Sequence, residues 1–319
     1  MKVIKPSHKI MVAETPYKHI EKIGRTCYKS EDAITDTSAE AFVKRLAINK
    51  HHAMLEHFRF IVGVGASNYT TLTMSLNSDC KYITHTHDTR KGRYIISASA
   101  RGLVDLYTHT ESIVIKDIIE DIVHAIINTY NCALVFNEAL ISAYCIRRTR
   151  SIVPHSYVIT DFDQLSESEY EKHAWYSVHF VCDRGVTHEM VRHRDASFAQ
   201  ESTRYCNYSK GKYDGEITVI EPLFWEEDSE QYQSWWKACK YLEETYMQLI
   251  HSGATAQEAR SVLPNSLKTE IIITAQVYEW RHIFNLRVLG TTGAPHPQMK
   301  EVMGPVYDEM VQNGYVKNA

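Results

Sequence analysis

Arg192, His193, Arg194 and Arg204 fall within thirteen residues of one another, interleaved with Ser197, Gln200, Ser202 and Thr203. Cations packed so closely repel one another, and a fold gains little from the crowding. The arrangement gains sense when an anion sits among them. A guanidinium fork binds phosphate bidentately, and hydroxyl or amide groups complete the coordination of the same oxyanion.

Three other readings compete. A charge run is most simply a solvated basic face, but this one lies between the apolar-rich stretch from Val178 to Val186 and the segment from Tyr205 to Tyr208. His188-Glu189 begins like the zinc-protease motif H-E-x-x-H, but Arg192 stands where the second His is required. His193 comes one residue late and leaves the helical face that lets two imidazoles share a metal. No metal is expected. Nucleic acid would demand a broad positive surface, and the formal net charge is -4. A local anion pocket remains, with neither nucleic acid nor membrane as partner.

The elements that must hold this pocket come from a chain of 319 residues, 44% hydrophobic and 23% charged, which reads as globular. No stretch approaches the about 18 apolar residues of a membrane span, and Met1 to Pro6 offers no apolar leader region. Seven scattered cysteines without a C-x-x-C fit a reducing, cytoplasmic setting. Strands are expected near Lys9–Ala13, Phe58–Val64, Tyr94–Ser97, Trp175–Val186, Ile217–Ile220 and Ile271–Ala275. Helices are expected at Ser38–Ile48 (capped by Ser38), from Ala100, from Glu111 with Ile115, Ile118, Ile119, Ile122 and Ile126 on one face, and at Ala133–Arg147. Arg147, Arg148 and Arg150 then form a solvated C-terminal cluster favoured by the helix dipole, and Asp161 to Glu171 read as a linker. Ser229 caps a helix over Glu230–Ile250 with Trp235, Trp236, Cys239 and Tyr246 inward, and Thr255-Ala256-Gln257-Glu258 is a capping box. The fold class is α+β: one domain over residues 1–319, with a mixed or antiparallel sheet and a helical pair inserted at about 108–172.

Arg192-His193-Arg194, seven residues, Ser202, one residue and Arg204 resemble the signature of the flavin-dependent thymidylate synthases (thymidylate synthase complementing proteins). Similar segments recur along the chain. They are His51 with Glu56-His57, Ala259-Arg260-Ser261-Val262-Leu263-Pro264, the run Trp280 to Arg287, and Ala294-Pro295-His296-Pro297-Gln298.

The resemblance implies methylation of dUMP to dTMP, with 5,10-methylenetetrahydrofolate as carbon donor and FAD, reduced by NADPH, as hydride source. It implies an interlocked homotetramer with shared active sites. Carried over by position, Glu189, Arg192, Gln200, Glu201, Ser202, Thr203, Arg204, Arg260 and Arg287 meet dUMP. The flavin positions are His51, Ala53, Arg192, His193, Arg194, Gln200, Gln276, Tyr278 and His282. Ala53 stands where relatives often carry Thr, and Gln276 and Tyr278 stand where compact relatives carry Asn and Arg. Such a family uses no nucleophilic thiolate, so Cys182 and Cys206 are expected to pack as small hydrophobes, and Ser202 to bind substrate without attacking it. Arg287 is the catalytic residue. A guanidinium does not give up its proton, so its part is charge stabilisation on the pyrimidine. Two further readings stay open: a folate-dependent hydroxymethylase of pyrimidine nucleotides, and a nucleotide- or RNA-binding protein without chemistry.

Overall fold

The computed structural model describes residues 1–49, 51–76, 82–88, 92–152 and 154–317. The chain opens with β1 (Lys2–Ile4) and β2 (Ser7–Met11), then α1 (Pro16–Tyr28) and α2 (Ser38–Ile48). Thr15 caps α1 with Pro16 at its first position, where a missing N–H costs nothing. The helix ends at Lys29, whose φ of 49° turns the chain out of the helix. Ser38 is the first residue of α2 and not its cap; its hydroxyl bonds Glu21 and the carbonyl of Thr35. A short 3-10 turn, His52–Glu56, leads into β3 (Arg59–Val64) and α3 (Ala66–Ser75), then β4 (Ile83–Asp88), β5 (Arg93–Ser99) and α4 (Ala100–His109).

The isoleucine-rich stretch folds as α5 (Ile113–Tyr130), capped by Ser112, and α6 (Glu138–Thr149) follows with Asn137 as its cap. Ile115, Ile118, Ile119, Ile122 and Ile126 pack with Phe58, Phe60, Val62 and Ile96 in one core cluster. Burying each such side chain contributes about 1.5–3 kcal/mol. The arginine cluster at the C-terminal end of α6 is not all solvated: Arg147 pairs with Asp117, Glu120 and Asp121 of α5. Then come β6 (Tyr157–Ile159), α7 (Glu167–His173), β7 (Trp175–Asp183), α8 (Arg184–Met190) and β8 (Ser197–Gln200). The polar stretch expected as a linker therefore holds a helix. Ser166 and Glu169 close a capping box on it, which outweighs the stretch's lack of apolar periodicity.

The last part carries β9 (Thr218–Ile220), α9 (Glu230–His251), α10 (Ala256–Ala259), β10 (Lys268–Gln276), α11 (Val277–Arg287) and α12 (Pro297–Gln312). Ser229 caps α9 and Thr255 with Glu258 forms the expected capping box. Trp236 faces solvent, contrary to its expected inward place. The fold is mixed α and β with antiparallel packing, but its strands do not join one sheet. One four-stranded sheet runs β2-β7-β10-β8 and a second runs β4-β5-β3-β6, while β1 and β9 form a parallel pair. Trp280 and Phe284 of α11 and Met303 of α12 cover the first of these with Val178, Phe180, Ile271 and Ile273.

Candidate active site

The arginine run is positioned by two strand-to-helix junctions. Asp183 ends β7 and caps α8, accepting from the Val186 N–H at 2.7 Å. Burial raises its pKa, and the two backbone N–H bonds it accepts oppose that rise. α8 stops at Met190, and the next turn projects Arg192 and Arg194 into solvent while His193 stays buried. β10 passes directly into α11, whose Glu279, His282, Leu286 and Arg287 recur at helical spacing and face that turn. Together with Arg192, His193, Arg194 and Asp195 they line a pocket of about 330 Å³.

Arg287 is the hub. Its Nε donates to His193 Nε2 at 3.2 Å, its Nη1 to Glu189 Oε2 at 3.0 Å and its Nη2 to the Glu189 carbonyl at 3.4 Å. His193 Nε2 therefore accepts, and its Nδ1 faces Glu279 at 3.6 Å. The His282 ring meets His193 edge-on at 5.8 Å, and His296 Nδ1 lies 3.2 Å from Glu189 Oε1. Arg192 and Arg194 have no carboxylate partner among the described residues. The pocket thus presents guanidinium and imidazole donors beyond what its own Asp195 and Glu279 can satisfy, a donor set suited to an anionic or carbonyl-rich ligand.

A second cluster holds the rest of the signature. The Ser202 N–H donates to the Cys27 carbonyl at the end of α1, at 3.2 Å, which seats the loop from 201 to 206 against Tyr28. Arg204 is exposed and lies over the Tyr205 ring. Tyr205 packs on Tyr28, whose hydroxyl is 3.0 Å from His51 Nδ1. Arg260 reaches Thr203 at 3.5 Å. Gln200 spends its amide on Thr187 and Thr269. Ala53 is exposed beside this cluster's His51, on the same turn.

Some candidate residues turn away from both clusters. Glu201 is buried and pairs with Lys268 at 3.1 Å; it belongs to an interior network with Lys29, Glu270 and His179. There burial opposes ionisation of Glu270, but His179, Lys268 and Lys29 hold its carboxyl well below the usual range. Gln276 is 1% exposed. Its Nε2 donates to Ser97 at 3.0 Å and the Lys172 carbonyl at 2.6 Å, and its Oε1 accepts from Thr84 at 3.1 Å. Both of its N–H donors are spent inside the chain, and its oxygen is engaged with Thr84. Tyr278 is half-buried under the Lys172 ammonium. Cys182 and Cys206 are buried. Burial raises both thiols, Cys206 to about 11, so neither offers a thiolate near neutral pH.

Sequence reasoning missed Tyr28, Glu279 and His296. Glu279 was legible in principle, since it sits three residues before His282 on one helix face. Tyr28 and His296 enter only through tertiary contact.

The fold and site define a class first: an α and β protein with a pocket lined by guanidinium and imidazole groups and, outside it, a second cluster around Arg204 and Arg260. Residues 162–313 match the family profile of the thymidylate synthase complementing proteins. It is 28% identical over 172 residues to the flavin-dependent thymidylate synthase of Pyrococcus furiosus, covering 49% of this chain and 68% of that one. It is 38% identical over 107 residues to that of Pyrococcus horikoshii, covering 34% of this chain and 43% of the relative. A match to the enzyme of Pyrococcus abyssi, at 32% identity, likewise spans 43% of the relative, so two of these three alignments cover less than half the relative's length. Among solved structures, a UMP/dUMP methylase, PolB from Streptomyces cacaoi, aligns over 98% of this chain and 93% of its own at 13% identity, with a TM-score of 0.40. A likeness that loose carries no argument.

Proposed function

We propose that the chain methylates dUMP to dTMP, taking its carbon from 5,10-methylenetetrahydrofolate. The observation that carries the reading is the arginine pocket with Arg287 braced between His193 and Glu189. The donor set fits FAD and a nucleotide: aromatic and imidazole surface at Tyr28, Tyr205 and His51, and guanidinium groups at Arg192 and Arg194 that have no carboxylate partner among the described residues. His51, Arg192, His193, Arg194 and His282 would hold FAD; Gln276 would not, because its amide is consumed internally. When bound, FAD supplies the hydride after reduction by NADPH.

The chain's own residues bind and polarise. Arg204, Arg260, Ser202 and Thr203 hold the phosphate and sugar, each through charge-assisted or hydroxyl bonds. Arg287, already fixed by its neighbours, stabilises negative charge on the uracil ring without reorganising, which is where preorganised donors act most strongly. Ser202 is a ligand, not a nucleophile, since no imidazole or carboxylate bonds its hydroxyl among the described residues.

The split site bears on assembly. A pocket of about 330 Å³ is at the lower end for a whole ligand, and the Arg204–Arg260 cluster lies outside it. We propose that copies of the chain share sites, one supplying the Arg192–Arg287 pocket and another the Arg204 cluster, within a homotetramer, as the resemblance implies. A cytoplasmic place and the absence of a nucleic-acid partner belong to the same reading.

A hydroxymethylase would need folate but no flavin, and a binding protein would need neither. Titration with FAD tests the reading. Flavin uptake that rises with dUMP present supports it, and a protein that takes up no flavin contradicts it.

A further inference from the structure

The two four-stranded sheets repeat one another. Once α1 and α2, which intervene after β2 in the first, and β9, α9 and α10, which intervene after β8 in the second, are set aside as insertions, each keeps one chain order: an edge strand, a helical segment followed or ended by His, a strand, a helix, two more strands, then a helix. In the first set these are β2, the turn before His57, β3, α3, β4, β5 and α4. In the second they are β6, α7 with His173, β7, α8, β8, β10 and α11. The sheet orders β6-β3-β5-β4 and β2-β7-β10-β8 correspond strand for strand.

The registers correspond as well. In β3–β5, Arg59 opposes Ser99; in β7–β10, Trp175 opposes Gln276. Ser99 and Gln276 are each the last residue of the strand and the N-cap of the helix that follows. The same offsets match Ser97 with Thr274 and His57 with His173. Ser97 opposes Thr84 in β4, just as Thr274 opposes Ser197 in β8. Ala100 and Leu103 match Val277 and Trp280, all four buried.

Two features relate the sets by a two-fold exchange and not by mere likeness. Each imidazole reaches the other set's hydroxyl: His57 Nδ1 lies 2.7 Å from Thr274 Oγ1, and His173 Nδ1 lies 3.0 Å from Ser97 Oγ. The edge strands are also traded. β2, which precedes β3 in the chain, pairs with β7, and β6, which precedes β7, pairs with β3. Unrelated antiparallel sheets can share an order, but not register, reciprocal contacts and exchanged edges together.

The chemistry is not repeated. Counting back from Thr84 as from Ser197, the positions of Arg192-His193-Arg194 are Asp79-Cys80-Lys81, which lie outside the described residues, and the position of Arg287 is Thr110. By this count the first set carries none of these guanidinium forks: Lys81 keeps one positive charge, Asp79 beside it sets a carboxylate against it, and Thr110 is neutral.

We propose that residues 7–109 and 157–287 are two copies of one unit, folded as an internal dimer with exchanged edge strands, and that the second copy alone keeps the anion site. The chain then binds one nucleotide. Only the identity of that nucleotide rests on the function proposed above.

Equilibrium dialysis of the full chain with dUMP, in the presence of FAD, is expected to give one nucleotide per chain, abolished by Arg192→Ala. Two nucleotides per chain, or one that survives Arg192→Ala, overturns the single-site inference. No binding at all overturns it together with the proposed function. A crystal structure of the full chain judges the duplication separately. Superposition of β6-β3-β5-β4 on β2-β7-β10-β8 by a half-turn, with both His–hydroxyl contacts present, supports it. Any other rotation, or an edge strand returned to its own set, overturns it.

Discussion

Replacing Arg287 by Lys separates catalysis from packing. The guanidinium makes two good hydrogen bonds, to His193 at 3.2 Å and to the Glu189 carboxylate at 3.0 Å, and a weak third to the Glu189 carbonyl at 3.4 Å. An ammonium is a point charge on a different path and can keep one of the two. The lost bond is charge-assisted, worth about 1.5–3 kcal/mol when buried. The Arg287 and Glu189 side chains are 22% and 34% exposed, so solvent screening brings the stability loss to the low end, about 1 kcal/mol. For a chain of this size that is a fall in Tm of about 1–2 °C. The effect on rate is larger. If Arg287 stabilises charge that develops on the ring, losing its fixed fork costs about 2.7–4 kcal/mol of transition-state stabilisation, a hundred- to thousandfold in kcat. Steady-state kinetics with dUMP varied at saturating FAD, beside a thermal melt, make the comparison. The expectation is a small Tm shift, a KM for dUMP changed by less than tenfold and the large loss in kcat. The opposing view is that Arg287 merely ends α11, where any cation suits the helix dipole. A Lys variant with kcat within a few-fold of the original would prove that view and remove Arg287 from the catalytic residues.

Arg204→Ala should weaken dUMP about ten- to a hundredfold, the loss of one charge-assisted phosphate contact, while FAD titrates as before; equal loss of both ligands would show that the two clusters are wrongly divided. Gln276→Leu should leave FAD affinity unchanged yet destabilise the chain by about 1–3 kcal/mol, because Ser97, Thr84 and the Lys172 carbonyl lose buried partners; urea unfolding beside FAD titration decides it, and weakened FAD without destabilisation would restore Gln276 to the flavin site. Stability should fall in mild acid. Burial lowers His19 to about 4 and His173 to about 3, from 6.5. The unfolded chain takes up these protons first, so stability is complete above pH 6.5 and is lost as pH falls toward the folded values. At pH 5 the loss is about 2 kcal/mol per histidine, and urea midpoints that match at pH 7 and pH 5 would contradict this.

Local signals in the sequence read well where a short-range rule decides. Ser229, Ser112 and the Thr255–Glu258 box set helix starts because a cap acts within three residues. The isoleucine stripe of α5 shows its period directly. What failed was decided at long range. Strands near 60, 95, 180 and 270 were legible, but their division between two sheets follows from β3 pairing with β5 and β7 with β10, which no local pattern records. α8 hid because it is only seven residues long and follows β7 without a loop. At the site, residue types were legible and their partners were not. Glu201 reads like a ligand beside Ser202, yet the alternation of strand β8 carries it inward to Lys268. Gln276 reads like a flavin contact, and three partners from distant segments claim its amide.

The central claim is that this pocket methylates a pyrimidine nucleotide. Its most direct test is to incubate the purified chain with dUMP, 5,10-methylenetetrahydrofolate, NADPH and FAD, and to identify the nucleotide product by mass spectrometry. The account predicts dTMP, formed only when FAD and NADPH are both present. Hydroxymethyl-dUMP formed without flavin, or dUMP recovered unchanged with every component present, would contradict it.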